Sequence, residues 1–556
     1  MKHNMFAYKK STLMALLVGA VAGTCLSACS DDSYSPDPAK DWEGTTNTFI
    51  PTDESGNTTY YQPSIGRCGD PMPFYDQKSG EFRVMYLQDY EQNLESYHPI
   101  WCVSTKDCAN YDLIGEVLPA GMPAEQDAGV GTGCCVYSEE EGVYYLYYTG
   151  HNASCPQTEA VMRATSKDGK QFTKDNLWML KGADYLLSQY DFRDPQIFRG
   201  DDDLWHMVIS SRLKFAEFTS PNLKDWTFLT KYKMVWGRMA ECPDIFQMGQ
   251  WWYLIYSDQD AFGRCVKYIK AQTLADLRTA IENSDMPRYN GGVTRDEGKL
   301  DNRGFFAGKT ASNGTDRYIW GWCPYRNGAD IWAKNTDAVD NKEPNWAGAL
   351  VCHKLVQLAD GNLVFGEVPG IKAKYNKRVT PTVFEKTEGA EFDGDGGTLK
   401  GFGMVRFGRL GYHNHISMTI KPKNPNDKFG LCFVRSGDEE GKANHWFQIG
   451  FNNLHYNAAW NNECKDLYRV EFKQEGHNEK GEYEDKFVNG ALSHFVPRPA
   501  DNTYNIDIYT DNSVVVLYYN NILAYTTRIY GIQKNGWSIN SYGGEIEVSG
   551  LKVWEY

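Results

Sequence analysis

The sequence predicts an all-β chain, a five-bladed β-propeller followed by a C-terminal β-sandwich, and two observations carry that expectation. One is a strand–turn–strand unit that recurs five times. The other is a change of character near Pro381, after which short alternating strands run to the last residue. In the recurring unit a turn rich in Gly and Asp leads into a strand dense in aromatics. These strands read FRVMYLQD from Phe82, VYYLYYTG from Val143, LWHMVISS from Leu204, WWYLIYSD from Trp251 and RYIWGWCP from Arg317. Aromatic and β-branched side chains suit a pleated, half-buried surface, and turns such as Asp76 to Gly80 or Gly200 to Asp203 bound the runs. A third strand follows, as in WCVSTKD from Trp101 and AVMRATSKDG from Ala160. The aromatic strands start about 45 to 65 residues apart, the length of one four-stranded blade.

Beyond Pro381 the runs HISMTIKP, FGLCFVRS, YNIDIYTD and SVVVLYYN are joined by Gly, Asn and Asp turns and show no helical period. That pattern predicts an antiparallel sandwich, with the final EIEVSGLKVWEY tied into a sheet. The expected organisation is a signal over residues 1–29, a tether over 30–60, the propeller over 61–378 and the sandwich over 379–556.

The signal is read from a basic start (Lys2, His3, Lys9, Lys10), an apolar run from Leu13 to Ala22, and Leu26-Ser27-Ala28-Cys29. The run is too short for a spanning helix, and small residues before a cysteine resemble a bacterial lipoprotein box that would lipidate Cys29. Ser30, Asp31 and Asp32 then open a polar stretch that resembles the surface-export signal of Bacteroidetes lipoproteins. The expectation is a secreted lipoprotein on the outer-membrane surface of a Gram-negative bacterium, touching the membrane through its lipid only.

A formal net charge of −15 repels nucleic acid and anionic lipid and excludes both as partners. The 36 Tyr and 16 Trp supply sheet core, and some of them faces on which sugar rings stack. The fourteen cysteines follow no CxxC metal spacing, so neither metal nor cofactor is expected, and no disulfide connectivity can be read.

In a propeller the first strand of each blade lines the central channel, so residues far apart in sequence converge there. Three of the five first strands begin with an acid near proline: Gly69-Asp70-Pro71, Arg193-Asp194-Pro195 and Glu241-Cys242-Pro243. The other two begin GTGCCVY and GFFAGKT, with small residues that leave room at the axis. Carboxyls held close raise one another's pKa, so one stays protonated while its neighbour ionises. Glycosidases need that division between a proton donor and a nucleophile or base. Arg193 is placed to orient Asp194, while Gln88 and Asp89, at the end of the first aromatic strand, and His98 beyond it are candidates for binding sugar hydroxyls.

FRDPQIF around Asp194 and AECPDIF around Glu241 resemble two signature motifs of glycoside hydrolase family 32, the β-fructosidases. VSTKD, LYYTG, LDNRGFFAGKT and NWAGALVCHKL fit as well, so the resemblance spans roughly residues 65 to 375. It implies that Asp70 is the nucleophile, Asp194 the transition-state stabiliser and Glu241 the general acid/base of a retaining hydrolase of fructans or fructo-oligosaccharides. It further implies that Arg193 and Asp194 hold fructose hydroxyls and that Gln88 matches the family's glutamine that follows the nucleophile strand. One departure stands out. The family's first motif usually reads WMNDPNG, whereas this chain has RCGDPMPF, with Gly69 in place of the sugar-contacting Asn. Two other readings remain at this stage: an inverting arabinoside or xyloside hydrolase of the family 43 type, and a non-catalytic glycan-binding surface protein.

Overall fold

The computed structural model describes residues 59–64, 66–89, 98–233, 240–260, 263–283, 298–302, 304–324, 346–433, 445–451, 467–477, 483–486, 494–497, 499–520, 523–529, 532 and 536–556. The expected signal, its lipidated Cys29 and nearly all of the tether lie outside them.

The first half of the described chain is a propeller of antiparallel meanders. All five aromatic runs are strands: Glu81–Asp89, Val143–His151, Trp205–Ser211, Trp251–Asp260 and Arg317–Pro324. Each pairs with an inner strand that precedes it, respectively Met72–Asp76, Gly129–Ser138, Arg193–Arg199, Ala240–Met248 and Phe306–Ser312. Each inner strand packs against the next, and Phe306–Ser312 packs back against Met72–Asp76, closing the ring. The clasp is Arg67–Cys68, which pairs with Glu81–Asp89 on one side and with Gly348–Gln357 on the other. It joins the first and last meanders into one sheet.

The fourth meander ends in a helix, Leu274–Glu282, that the strand pattern did not anticipate. Thr273 caps it by accepting from the Asp276 N–H while its hydroxyl donates to the Asp276 carboxylate, a reciprocal capping pair. Leu274, Leu277 and Ile281 recur at helical spacing and are buried against the blade.

Two eight-stranded sheets follow, packed on a core that includes Phe407, Leu431, Ile508, Leu517 and Trp537. The alternation read from the sequence fits this arrangement, with inward apolar residues on both facing sheets. The sandwich also packs on the propeller: Tyr509, Val514, Val516 and Tyr518 share a core with Ile319, Trp320 and Val351. Arg528 reaches out of the sandwich and donates to the carbonyls of Cys323 and Pro324. It thereby pins the end of the strand that carries Trp322. Cys68, Cys102, Cys108, Cys134, Cys135, Cys155, Cys242 and Cys352 are thiols outside any disulfide, and none of the described helices is long and apolar enough to cross a membrane.

Candidate active site

The inner strands share one irregularity. Between Arg193 and Gln196, Glu241 and Asp244, and Phe306 and Lys309, two residues face one on the partner strand. Gly69, whose N–H donates to Leu87, and Met72, paired with Met85, bracket the same bulge in the first meander. A bulge bends the strand and re-aims its side chains. Asp194, Cys242 and Ala307 occupy the equivalent bulge position, and all three are left-handed, with φ of 60°, 50° and 55°. Left-handed backbone is costly for residues other than glycine, so three aligned instances around one axis mark a strained, specified rim.

This register corrects one detail of the sequence reading. Asp70 and Asp194 are equivalent, but Glu241 stands one residue earlier, at the position of Arg193. Arginine and glutamate on neighbouring strands therefore face each other, and Arg193 Nη1 donates to Glu241 Oε1 at 3.2 Å. The same guanidinium donates through Nε to Glu159 Oε2 at 2.8 Å and through Nη2 to Asp191. Burial works against its charge, and Glu159 and Glu241 outweigh burial, so its hold on the proton rises. Burial likewise opposes the charge of Glu159, but His151 and Arg193 prevail and lower its pKa. Glu159 also accepts the Phe192 N–H at 3.0 Å, which fixes the approach to the rim.

Asp194 is 4% exposed. Its Oδ2 accepts the Cys242 N–H at 2.8 Å, and its own N–H donates to Thr149 Oγ1 at 3.0 Å. Burial and then the charge of Glu241 push its pKa up to about 7; Asp70 adds to the rise, while Arg193 opposes it. Asp70 is gripped at both oxygens: Trp322 Nε1 donates to Oδ1 at 2.9 Å and Thr132 Oγ1 donates to Oδ2 at 2.6 Å. Neither donor was expected. The strand beginning GTGCCVY does more than leave space, because Thr132 sits in its own bulge and turns to the axis. Trp322 belongs to an aromatic strand read as core, and its ring packs with Phe306 and the buried Cys242.

One layer below, Lys309 Nζ spans to the Gly133 carbonyl at 2.9 Å, and Gln196 and Thr310 both donate to Asp244. These polar pairs tie the inner strands to one another.

The other sequence candidates gather at the end of the first meander. Gln88 is buried next to the clasp, where its backbone pairs with Cys68. Asp89 pairs with Arg67 and lies near His98; burial raises its pKa, while His98 and Arg67 hold it down. The His98 ring lies 4.6 Å from that of Trp346.

A propeller whose channel gathers two aspartates and a glutamate, the glutamate held by an arginine, defines a class of carbohydrate-active proteins. Within it, residues 60–366 match the Glycosyl hydrolases family 32 N-terminal domain, and residues 361–553 match the GH32, BT1760-like, C-terminal domain. The chain belongs to glycoside hydrolase family 32, which sets aside family 43. It is 25% identical over 338 residues to a sucrose-6-phosphate hydrolase of Zymomonas mobilis, a match that covers 55% of this chain and 60% of that relative. A levanbiose-producing levanase of Bacillus subtilis is 26% identical over 195 residues, 32% of this chain and 35% of the levanase. Among solved structures, the GH32 beta-fructofuranosidase of Bombyx mori superposes with a TM-score of 0.59 at 18% identity, covering 93% of this chain and 96% of that one. The exo-inulinase of Aspergillus awamori gives 0.62 at 14%, covering 91% and 99%. At these identities the structures speak for the fold, propeller plus sandwich.

Proposed function

We propose that this chain hydrolyses β-fructofuranosyl linkages of fructans or fructo-oligosaccharides with retention of configuration. The observation that carries the reading is the division of environment among three carboxyls on one rim. Asp70 is fixed at both oxygens by neutral donors, Glu241 is bonded to Arg193, and Asp194 is buried and pushed toward neutrality. In this reading Asp70 attacks the anomeric carbon as the glycosidic C–O bond breaks, and Glu241 gives its proton to the leaving oxygen. A water then attacks the same carbon as Glu241 takes its proton, and the bond to Asp70 breaks. Asp194 and Arg193 hold sugar hydroxyls beside the reacting carbon. The five meanders act as the five blades, and the sandwich buttresses the strand of Trp322 through Arg528.

Product release from levan, inulin and sucrose tests this reading. Wild type should release fructose or fructo-oligosaccharides, and Asp70→Asn and Glu241→Gln should each lose roughly three to five orders of magnitude in kcat while staying folded. Near-normal turnover in either variant would remove the assignment, and silence of the wild type would favour a glycan-binding role.

We propose further that the mature protein is anchored through lipid on Cys29 at the outer-membrane surface, a reading supported by the Leu26-Ser27-Ala28-Cys29 box and the acidic residues after it. Labelled fatty acid should enter the wild-type chain and not Cys29→Ser; equal labelling of both would dismiss the anchor.

A further inference from the structure

Arg193 joins the rim to a carboxylate that the proposed chemistry does not use. A guanidinium is a rigid plane of N–H donors, and here its three nitrogens go to three different carboxylates. Nε donates to Glu159 Oε2 at 2.8 Å, Nη1 to Glu241 Oε1 at 3.2 Å and Nη2 to Asp191. Glu159 is the deepest of the three, with its side chain 7% exposed against 12% for Glu241 and 26% for Asp191. It comes from the neighbouring meander, at the start of the strand Glu159–Ser166, opposite His151. The same Oε2 accepts the Phe192 N–H at 3.0 Å. One oxygen thus holds both the backbone that leads into the inner strand and the guanidinium at that strand's first residue. Of the charges around Arg193, that of Glu159 acts on it most strongly and that of Glu241 next.

A general acid has to hold its proton until the glycosidic bond breaks, and a cation beside a carboxyl favours the ionised form. A guanidinium committed to Glu241 alone would therefore oppose the step that Glu241 performs. We propose that Glu159 is a positioning residue for that step: it draws Arg193 toward itself and shares its charge, so that Glu241 can carry the proton that the leaving oxygen needs. This rests on the β-fructosidase reading and deepens it. Arg193 keeps its place beside Glu241 and steadies the anion left once the proton has gone. Asp191, more exposed, takes a weaker share. Glutamine in place of Glu159 keeps the shape and an acceptor for Nε but removes the charge, and the guanidinium then falls to Glu241 and Asp191.

Substrates that differ in leaving group test the role on the full chain. Sucrose and levan lose an alkoxide and need the proton, whereas a nitrophenyl β-D-fructofuranoside loses a phenolate that departs without it. Glu159→Gln should lower kcat/KM for sucrose and levan about 10- to 100-fold and for the aryl substrate less than about threefold. Its melting temperature should stay close to that of the wild type. Should Glu159→Gln fail to fold, Glu159→Asp, which keeps the charge but draws it back by one methylene, carries the same comparison with a smaller gap. Equal losses on the two kinds of substrate would overturn the role, because a distorted pocket slows both. Wild-type rates on both would overturn it as well. A wild type that cleaves neither kind removes the β-fructosidase reading and this role together. One that cleaves both, with no gap between the losses in the variant, removes this role alone.

Discussion

Asp194 at the propeller axis and Asp301 at the junction with the sandwich share a description and differ in purpose. Both are buried, and burial pushes both up to about 7. At the axis the neighbours are charged: Glu241 and Asp70 add to the rise, and Arg193 opposes it. At the junction they are mostly neutral donors, with the charge of Lys299 adding the smallest influence. Asp301 Oδ1 accepts the N–H groups of Asn302 and Thr526 at 2.7 and 3.0 Å, and Oδ2 accepts the Thr526 hydroxyl at 2.5 Å. His353 lies 3.6 Å off, and burial lowers its pKa to about 3, so it stays neutral. The backbone differs as well: Asp194 is left-handed, with φ 60°. Equal burial thus serves two ends. Gathered like charges on strained backbone hold one carboxyl near neutrality, whereas a carboxyl ringed by donors from both domains stitches them together.

Replacing each acid should break the resemblance between them. Asp194→Asn should abolish nearly all turnover yet raise the melting temperature. The folded-state pKa of Asp194 is raised, so the folded chain binds more protons than the unfolded chain between about pH 4 and about pH 7. Its ionisation therefore costs stability progressively as pH rises through that window, and the cost is full above it. The gain in Asp194→Asn should accordingly be largest at pH 8 and vanish below about pH 4. Asp301→Ala should do the reverse. It strips an acceptor from buried N–H and O–H groups, which costs about 2–4 kcal/mol; the loss should be larger at pH 5 than at pH 8, where ionisation of Asp301 itself costs stability, and kcat should stay intact at temperatures where the variant is folded. Melting curves at pH 5 and pH 8 beside turnover decide both. A stabilised Asp301→Ala, or a destabilised Asp194→Asn at pH 8, would show that the two sites differ less than their neighbours imply.

How far the sequence discloses such a site depends on which residues carry it. The aromatic strands were legible because their Gly- and Asp-rich turns punctuate runs that only a sheet can bury. Asp70 and Asp194 were legible because each precedes a proline in a repeated context. The offset of Glu241 was also written there, two residues before Pro243 rather than one, but its meaning depends on a bulge that sequence spacing does not announce. Thr132 and Trp322 could not be singled out. One is a threonine without a flanking proline, and the other is a tryptophan in a strand of core residues, turned to the axis by closure of the ring. The helix Leu274–Glu282 had a readable signal in Thr273 and Asp276, overlooked because the repeat led to the expectation of a fourth strand.

The smallest substitutions make the sharpest comparison, because Thr132 and Thr526 present the same chemistry in the two regions. Each is buried, and each donates its hydroxyl to an aspartate oxygen, Thr132 to Asp70 at 2.6 Å and Thr526 to Asp301 at 2.5 Å. Valine keeps the shape and removes the donor, so either change deletes one hydrogen bond to a carboxyl, worth about 1–2 kcal/mol. At the axis that loss should fall on the barrier: Thr132→Val should lower kcat about tenfold, because Asp70 keeps Trp322 but loses the grip on its second oxygen. Its melting temperature should barely move. At the junction the same loss should fall on the fold, so Thr526→Val should melt several degrees lower with its kcat unchanged. An equal loss of activity in both variants would mean that the junction reaches Asp70, by way of Arg528 and the strand of Trp322, strongly enough to make the two regions one device.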